Sequence, residues 1–295
     1  MDLKAWLSER KDLVDQALER YLPASPQGGA ILEAMRYSLF AGGKRLRPIL
    51  CLAGAEAVGG DPQAVMFCAC ALEMIHTYSL IHDDLPAMDD DRLRRGRLTS
   101  HVVYGEGLAV LAGDGLLTQA MVLMSDASAY GDLDPRLVLA ASHEVARAAG
   151  YQGMVGGQAA DLLAENQKPD LALVQFIHAT KTGALIAASV VSGAILAGGS
   201  PEQVRTLRGY GRRIGLAFQI SDDLLDLTGD PAKLGKEVGA DQAHGKMTYP
   251  AAAGPAAARQ AGENLVREAA ELARSLGPAA EPLAELALYI MERTH

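Results

Sequence analysis

Apolar residues recur at helical spacing through most of this chain. The pattern predicts helices over Leu3–Tyr21, Val65–Asp84, Leu137–Ala149, Leu171–Gly198, Pro201–Leu227 and Ala256–Ser275. Pro and Gly cluster at Pro23–Gly29, Gly59–Pro62 and Gly198–Pro201 and mark connections, since neither residue favours continuing a helix. From Thr182 to Ser200 the chain is uncharged for 19 residues, nominally enough to span a bilayer. Gly, Ala and Ser dilute the hydrophobicity of that stretch, so it reads as a buried core helix and no membrane span is expected. Two other apolar runs end abruptly in acid. Ser79-Leu80-Ile81-His82 leads into Asp83-Asp84-Leu85-Pro86-Ala87-Met88-Asp89, and Phe218-Gln219-Ile220-Ser221 leads into Asp222-Asp223-Leu224-Leu225-Asp226.

Packed carboxylates at the end of an apolar helix are costly, because like charges repel and buried ions lose their hydration. A single such cluster is compatible with a solvated acidic helix end. Two nearly matching clusters suggest opposing jaws around divalent cations. Carboxylates without nearby Cys or regularly spaced His favour a hard ion, Mg2+ or Mn2+, over zinc. Asp222 and Asp226 stand four apart and share a helical face, with Asp223 beside them. In the first cluster Pro86 disfavours helix at Leu85, so the helix is expected to end or kink there and let Asp89 swing back towards Asp83.

The remaining composition narrows the partner. A net charge of −9 gives no generic attraction to nucleic acid or to an anionic membrane, and no basic–aromatic pattern appears. Seven of the 27 Lys and Arg residues nevertheless sit in Gly42-Gly43-Lys44-Arg45-Leu46-Arg47-Pro48 and Arg92-Leu93-Arg94-Arg95-Gly96-Arg97. Arginine forks suit phosphate oxygens, and glycine permits close backbone approach. Metal-binding carboxylates beside arginines make a site for a diphosphate; mutual pairing of Asp90, Asp91 and Arg94 is the bland alternative. Abundant Ala, Leu and Met with 5% aromatics favours an all-α fold. Three cysteines fit buried thiols in a reducing cytoplasm, and the N-terminus lacks the basic and apolar regions of a signal peptide. No composition break marks a second domain, so one domain over residues 1–295 is expected.

The ordered set of motifs resembles the trans-isoprenyl diphosphate synthases, most closely the bacterial farnesyl diphosphate synthases. Gly43–Pro48, Asp83–Gly96, Gly156-Gly157-Gln158-Ala159-Ala160-Asp161-Leu162, Lys181-Thr182-Gly183, Phe218–Asp226, Leu234–Asp241 and Gly245–Pro250 follow in the family's order along nearly the whole chain. The resemblance implies a single large helical bundle of the isoprenoid synthase type with a central cavity, working as a homodimer. It implies isoprenyl diphosphate substrates and Mg2+, three ions with bound diphosphate, with Mn2+ as a substitute. By position, Lys44, Arg47, His76 and Arg95 match residues that hold isopentenyl diphosphate, while Arg94, Lys181 and Lys236 match ligands of the allylic diphosphate. Asp83, Asp89 and Asp222 match metal ligands, with Asp84, Asp223 and Asp226 supporting them. Lys181, Thr182 and Gln219 match groups placed around the forming carbocation, which with Arg94 make up the catalytic set.

Product length is legible by the same route. Tyr78 lies five residues before Asp83, about 7.5 Å down a helix axis. The resemblance implies that an aromatic residue there caps the cavity near C15, with small Ser79 leaving the turn above it open; ordinary core packing is the alternative for Tyr78. His76 and Asp83 are seven apart on nearly one face, which suits His76 as a donor to phosphate. Three features depart from the family pattern: Arg92 replaces an acidic residue, Leu98 replaces a proline, which is expected to loosen its loop, and Met291–His295 lacks the family's paired basic ending, which is expected to weaken isopentenyl diphosphate binding. A geranylgeranyl or geranyl diphosphate synthase is the first competing reading, ahead of a terpene cyclase and a non-catalytic regulatory subunit. A cyclase would not need the second diphosphate site, and a regulatory subunit would be expected to lose metal ligands.

Overall fold

A computed structural model describes residues 2–228 and 246–292. The chain opens with α1 (Leu3–Tyr21), α2 (Gly29–Leu39), α3 (Leu46–Ala57) and α4 (Met66–Asp83). A two-residue hairpin, β1 (Leu93–Arg94) and β2 (Arg97–Leu98), interrupts the helices before α5 (Ser100–Tyr104), α6 (Glu106–Ser125), α7 (Ala127–Tyr130), α8 (Pro135–Ala149) and α9 (Met154–Ala164). Next come α10 (Leu171–Ile177), a π-helical turn over His178–Gly183, α11 (Ala184–Leu196) and α12 (Pro201–Thr228). After the segment outside the described residues follow α13 (Tyr249–Ala253), α14 (Pro255–Arg274) and α15 (Glu281–Glu292). The fold is all-α, as its composition and periodicity predict.

Helix starts follow local chemistry. Asp2 caps α1 by accepting from the Ala5 amide at 3.1 Å, and Asp134 caps α8 by accepting from the Arg136 amide at 2.9 Å ahead of Pro135. The centre of the bundle is α11, buried at every position from Leu185 to Leu196 except Ile195. It packs against α3, α8 and α12. Each fully buried Leu or Val there contributes about 1.5–3 kcal/mol of burial free energy. Close approach needs small residues: a side chain at Gly54 of α3 or Gly193 of α11 would overlap the backbone of Val190 or Cys51. The uncharged 182–200 stretch is thus core helix.

The single helix expected over Leu171–Gly198 is broken. Its middle turn is widened into the π form, where the Thr180 hydroxyl donates to the Phe176 carbonyl at 2.6 Å and competes with the helical ladder. On the far side Gly215 of α12 comes so close that a Cβ there would stand 2.6 Å from the Gly183 Cα. This contact sets the π turn directly against α12, beside Gln219.

Among the described residues three helical stretches could cross a membrane by length and composition: Pro62–Asp83, Glu106–Ser125 and Leu171–Leu196. The first and third are 78% and 67% buried within the bundle, whereas Glu106–Ser125 is 39% buried. That helix leaves Val110, Leu111, Met121 and Val122 exposed.

Candidate active site

The first jaw is the C-terminal end of α4. The helix stops at Asp83, and the turn that follows is closed by the Asp89 amide donating to the Asp83 carbonyl at 2.9 Å and by Met88 donating to Leu85 at 2.9 Å. Asp89 thus returns beside Asp83, as Pro86 led us to expect. Burial pushes the Asp83 carboxyl up to about 6; Lys181 opposes the shift and Asp89 adds to it. Asp84 points away from this pair. It is buried and accepts from Arg94 Nε at 2.6 Å, and burial raises its carboxyl to about 7 against the pull of Arg94. Asp84 therefore anchors the arginine hairpin. Arg94 also reaches Asp91 at 3.3 Å, so part of the pairing expected under the bland reading is present.

The second jaw is α12, where Asp222 and Asp223 lie one turn beyond Gln219 and Asp226 two turns beyond it. Asp223 accepts from Gln219 Nε2 at 3.2 Å and from the Tyr249 amide at 2.8 Å, with His178 Nε2 at 3.4 Å. The Thr182 hydroxyl donates to Gln219 Oε1 at 2.9 Å. The amide of Gln219 is oriented from both ends: its NH2 faces a carboxylate that can only accept, so its oxygen faces Thr182. Asp223 is occupied as a support, and Asp226 is buried beside it.

Cations stand between the jaws. Lys181 Nζ is 2.6 Å from Asp161 Oδ2 of α9, and Lys246 Nζ is 3.3 Å from Asp89 Oδ2. Both lysines favour the charged form of Asp83, and Thr182, next to Lys181, bonds Gln219 of the second jaw, which links the first acidic cluster to the helix that carries the second. Among the described residues no three His, Cys, Asp or Glu side chains converge on a point. The donor set offered is carboxylate oxygen, from Asp83 and Asp89 on one jaw and Asp222 on the other. It fits Mg2+, which takes one or two carboxylates and completes its octahedron with water and phosphate oxygens.

A separate basic cradle lies beneath the hairpin. Arg47 and Arg95 border His76, whose ring is held well below its ordinary value by burial and then by Arg47 and Arg95. His76 is therefore neutral at pH 7 and has a proton to donate without a charge. Burial lowers the Arg47 guanidinium to about 10, and its Nε has no hydrogen-bond partner among the described residues. Lys44 is exposed at the rim. Leu98 sits in the short hairpin: Leu93 pairs with Leu98, the Tyr37 hydroxyl donates to the Leu98 carbonyl at 2.8 Å, and Arg97 covers the Tyr37 ring. Tyr78 is buried below Asp83 with its ring edge-on to His82 at 5.7 Å, and His82 reaches the Val110 carbonyl of α6 at 3.0 Å. Ser79 donates to the His76 carbonyl at 2.9 Å. Lys236 lies outside the described residues.

Sequence reasoning assigned no role to Lys246 or Gln158, although both stand in motifs it singled out. The first touches Asp89; the second buries both amide atoms without a partner, one turn before Asp161. A lysine two residues before Thr248-Tyr249-Pro250 carried no spacing signal that could place it against Asp89.

Comparison with known proteins agrees with this arrangement. Residues 29–277 match the family model described as polyprenyl synthetase. The chain is 48% identical over 295 residues to a chloroplastic geranylgeranyl pyrophosphate synthase of Arabidopsis thaliana, covering 98% of this chain and 82% of that one. It is 46% identical over 260 residues to the farnesyl diphosphate synthase of Geobacillus stearothermophilus, covering 88% and 87%. The structure of geranylgeranyl pyrophosphate synthetase from Pyrococcus horikoshii superposes with a TM-score of 0.90 at 32% identity, over 99% of this chain and 98% of that one. Two aspartate motifs, a basic cradle beside them and these matches lead to one conclusion: the chain belongs to the polyprenyl synthetase family of prenyltransferases.

Proposed function

We propose that the protein condenses isopentenyl diphosphate with dimethylallyl and then geranyl diphosphate, giving farnesyl diphosphate and pyrophosphate. What supports this reading is a carboxylate-rich site around Asp83 and Asp89 together with a second, basic grouping of Arg47, His76 and Arg95. A cyclase has no use for the second cradle. In this reading Asp83, Asp89 and Asp222 hold Mg2+, three ions when diphosphate is bound, with Mn2+ as a substitute. When bound, Mg2+ neutralises charge on the departing pyrophosphate. Arg94, Lys181, Lys246 and Lys236 hold the allylic diphosphate, and their positive charge favours ionisation of its C–O bond. Gln219 Oε1, fixed by Asp223 and Thr182, turns the negative end of its dipole towards the allylic cation. Lys44, Arg47, His76 and Arg95 hold isopentenyl diphosphate so that its double bond is in place to attack. The pyrophosphate released then takes the proton. The jaws exclude water, which would otherwise capture the cation.

Tyr78, buried a turn and a half below Asp83, supports a stop at C15. Geranylgeranyl diphosphate is the second reading, favoured by the names of relatives at 47–48% identity. The deciding experiment is mass spectrometry of products from isopentenyl and dimethylallyl diphosphates, with Mg2+ or with EDTA. A Mg2+-dependent C15 diphosphate is expected. A dominant C20 product would keep the chemistry and refute the Tyr78 stop, and no product under any metal condition would refute the synthase reading.

We also propose that residues 1–295 act as one domain, as a cytoplasmic homodimer. The exposed apolar side chains of α6 supply a surface suited to a second copy, and the three buried free thiols suit a reducing compartment. Light scattering that returned a monomer mass would refute the dimer.

A further inference from the structure

Arg45 stands between Lys44 and Arg47 but does not face the same way. Its backbone is left-handed, with φ 51°, at the N-terminal boundary of α3. The side chain turns inward and is 3% exposed. Three different elements receive its protons. Nε donates to Asp15 Oδ1 of α1 at 2.8 Å, Nη1 to Glu73 Oε1 of α4 at 2.7 Å, and Nη2 to the Leu39 carbonyl at the end of α2 at 2.8 Å. One planar guanidinium thus ties three helices to the first residues of a fourth. Lysine, with a single point charge, cannot reproduce that fork.

Two consequences follow for the cradle. The Gly42–Lys44 loop is pinned at its C-terminal end, while its other side is held by Arg95, whose Nη1 donates to the Gly42 carbonyl. A side chain at Gly43, where φ is 124°, would lie 2.6–2.8 Å from the Arg95 guanidinium, so the two basic segments meet at backbone contact. Glu73 also sits three residues before His76 on α4, within electrostatic reach of Arg47 and Arg95. A buried carboxylate needs a partner. Without Arg45, the nearest alternatives are the two arginines that would otherwise meet a diphosphate.

We propose that Arg45 is the positioning residue of the isopentenyl diphosphate cradle: it clamps the Gly42–Lys44 loop and keeps the Glu73 carboxylate occupied, leaving Arg47 and Arg95 to the substrate. This inference rests on the two-cradle reading given above.

The test is direct binding. Isothermal titration calorimetry with isopentenyl diphosphate in EDTA isolates the cradle from the metal-dependent jaws. Arg45→Lys is expected to weaken binding about tenfold, the effect of losing two charge-assisted hydrogen bonds that order a loop. Steady-state kinetics should show the same split, with KM for isopentenyl diphosphate raised about tenfold and KM for geranyl diphosphate and kcat within about threefold. Asp15→Ala deletes the acceptor of the outermost arm alone and is expected to act in the same direction by about threefold, so the inference stays testable if Arg45→Lys does not fold. Unchanged isopentenyl diphosphate affinity in either folded variant, or equal rises in both KM values, overturns the assignment. A wild-type protein that binds no isopentenyl diphosphate in EDTA defeats the two-cradle reading instead, and the inference with it.

Discussion

Replacing Tyr78 by Ala should lengthen the product by one isoprene unit. The side chain is buried on α4, and the residue one turn deeper on the same face is Met74, which is fully buried. Removing the phenol ring lowers the cavity floor by roughly one helical pitch, about 5.4 Å. An isoprene unit adds four carbon–carbon bonds, about 5 Å of extended chain at ordinary bond lengths. One further condensation fits, and a second is stopped by Met74. Energetically, the variant loses about 3–5 kcal/mol of stability to the new cavity, by analogy with other aromatic-to-Ala core changes. Five extra buried carbons of a C20 product return about 4 kcal/mol at roughly 0.8 kcal/mol per carbon. Two assays read this out. Mass spectrometry should show a C15-dominated mixture becoming C20-dominated, with farnesyl diphosphate accepted as a primer. Thermal melts should show the variant destabilised when empty and recovering most of the loss with geranylgeranyl diphosphate. A Tyr78→Ala enzyme that folds, turns over and still stops at C15 would refute the reasoning, and the floor would then lie elsewhere.

Two other perturbations test the second jaw and its π turn. In Asp223→Asn the remaining oxygen keeps the Tyr249 amide while the new NH2 faces Gln219, so the Gln219 amide must flip; single-turnover rates should fall about 100-fold with both KM values within about threefold, on the scale of losing one oriented dipole. A raised KM at unchanged rate would instead mark Asp223 as a binding group. Burial holds His178 down to about 4, whereas in the unfolded chain it titrates near 6.5. Between those values only the unfolded chain binds the proton, so stability falls as pH drops through this window, by at most about 1.4 kcal/mol per pH unit. His178→Phe keeps the stacking on Tyr249 and removes the titration; its urea midpoint should lose less than the wild type between pH 7 and pH 5. An equal loss in both proteins would show that His178 is not the group responsible.

What the sequence made legible was chemistry with a local cause. Pro86 ends α4 whatever surrounds it, so the return of Asp89 to Asp83 could be read from seven residues. The acidic motifs and the order of the basic segments are likewise linear facts. The π turn was not legible: Leu171–Gly198 is one apolar run, and what widens it is a glycine of another helix pressing on Gly183 together with a threonine bonding backward along its own turn. Side-chain direction was the other missing quantity. Lys44, Arg45 and Arg47 form one basic cluster in the sequence, yet a left-handed residue at position 45 sends its guanidinium into the core while Lys44 is left exposed at the rim. The partners that consume it, Asp15 and Glu73, lie 30 and 28 residues away and carry no local signal of their role. Counting positive charge therefore overstates what a diphosphate can meet. Whether an arginine binds substrate or frames the residues that do is decided by which carboxylates the fold brings beneath it, and at Arg45 the fold brings two.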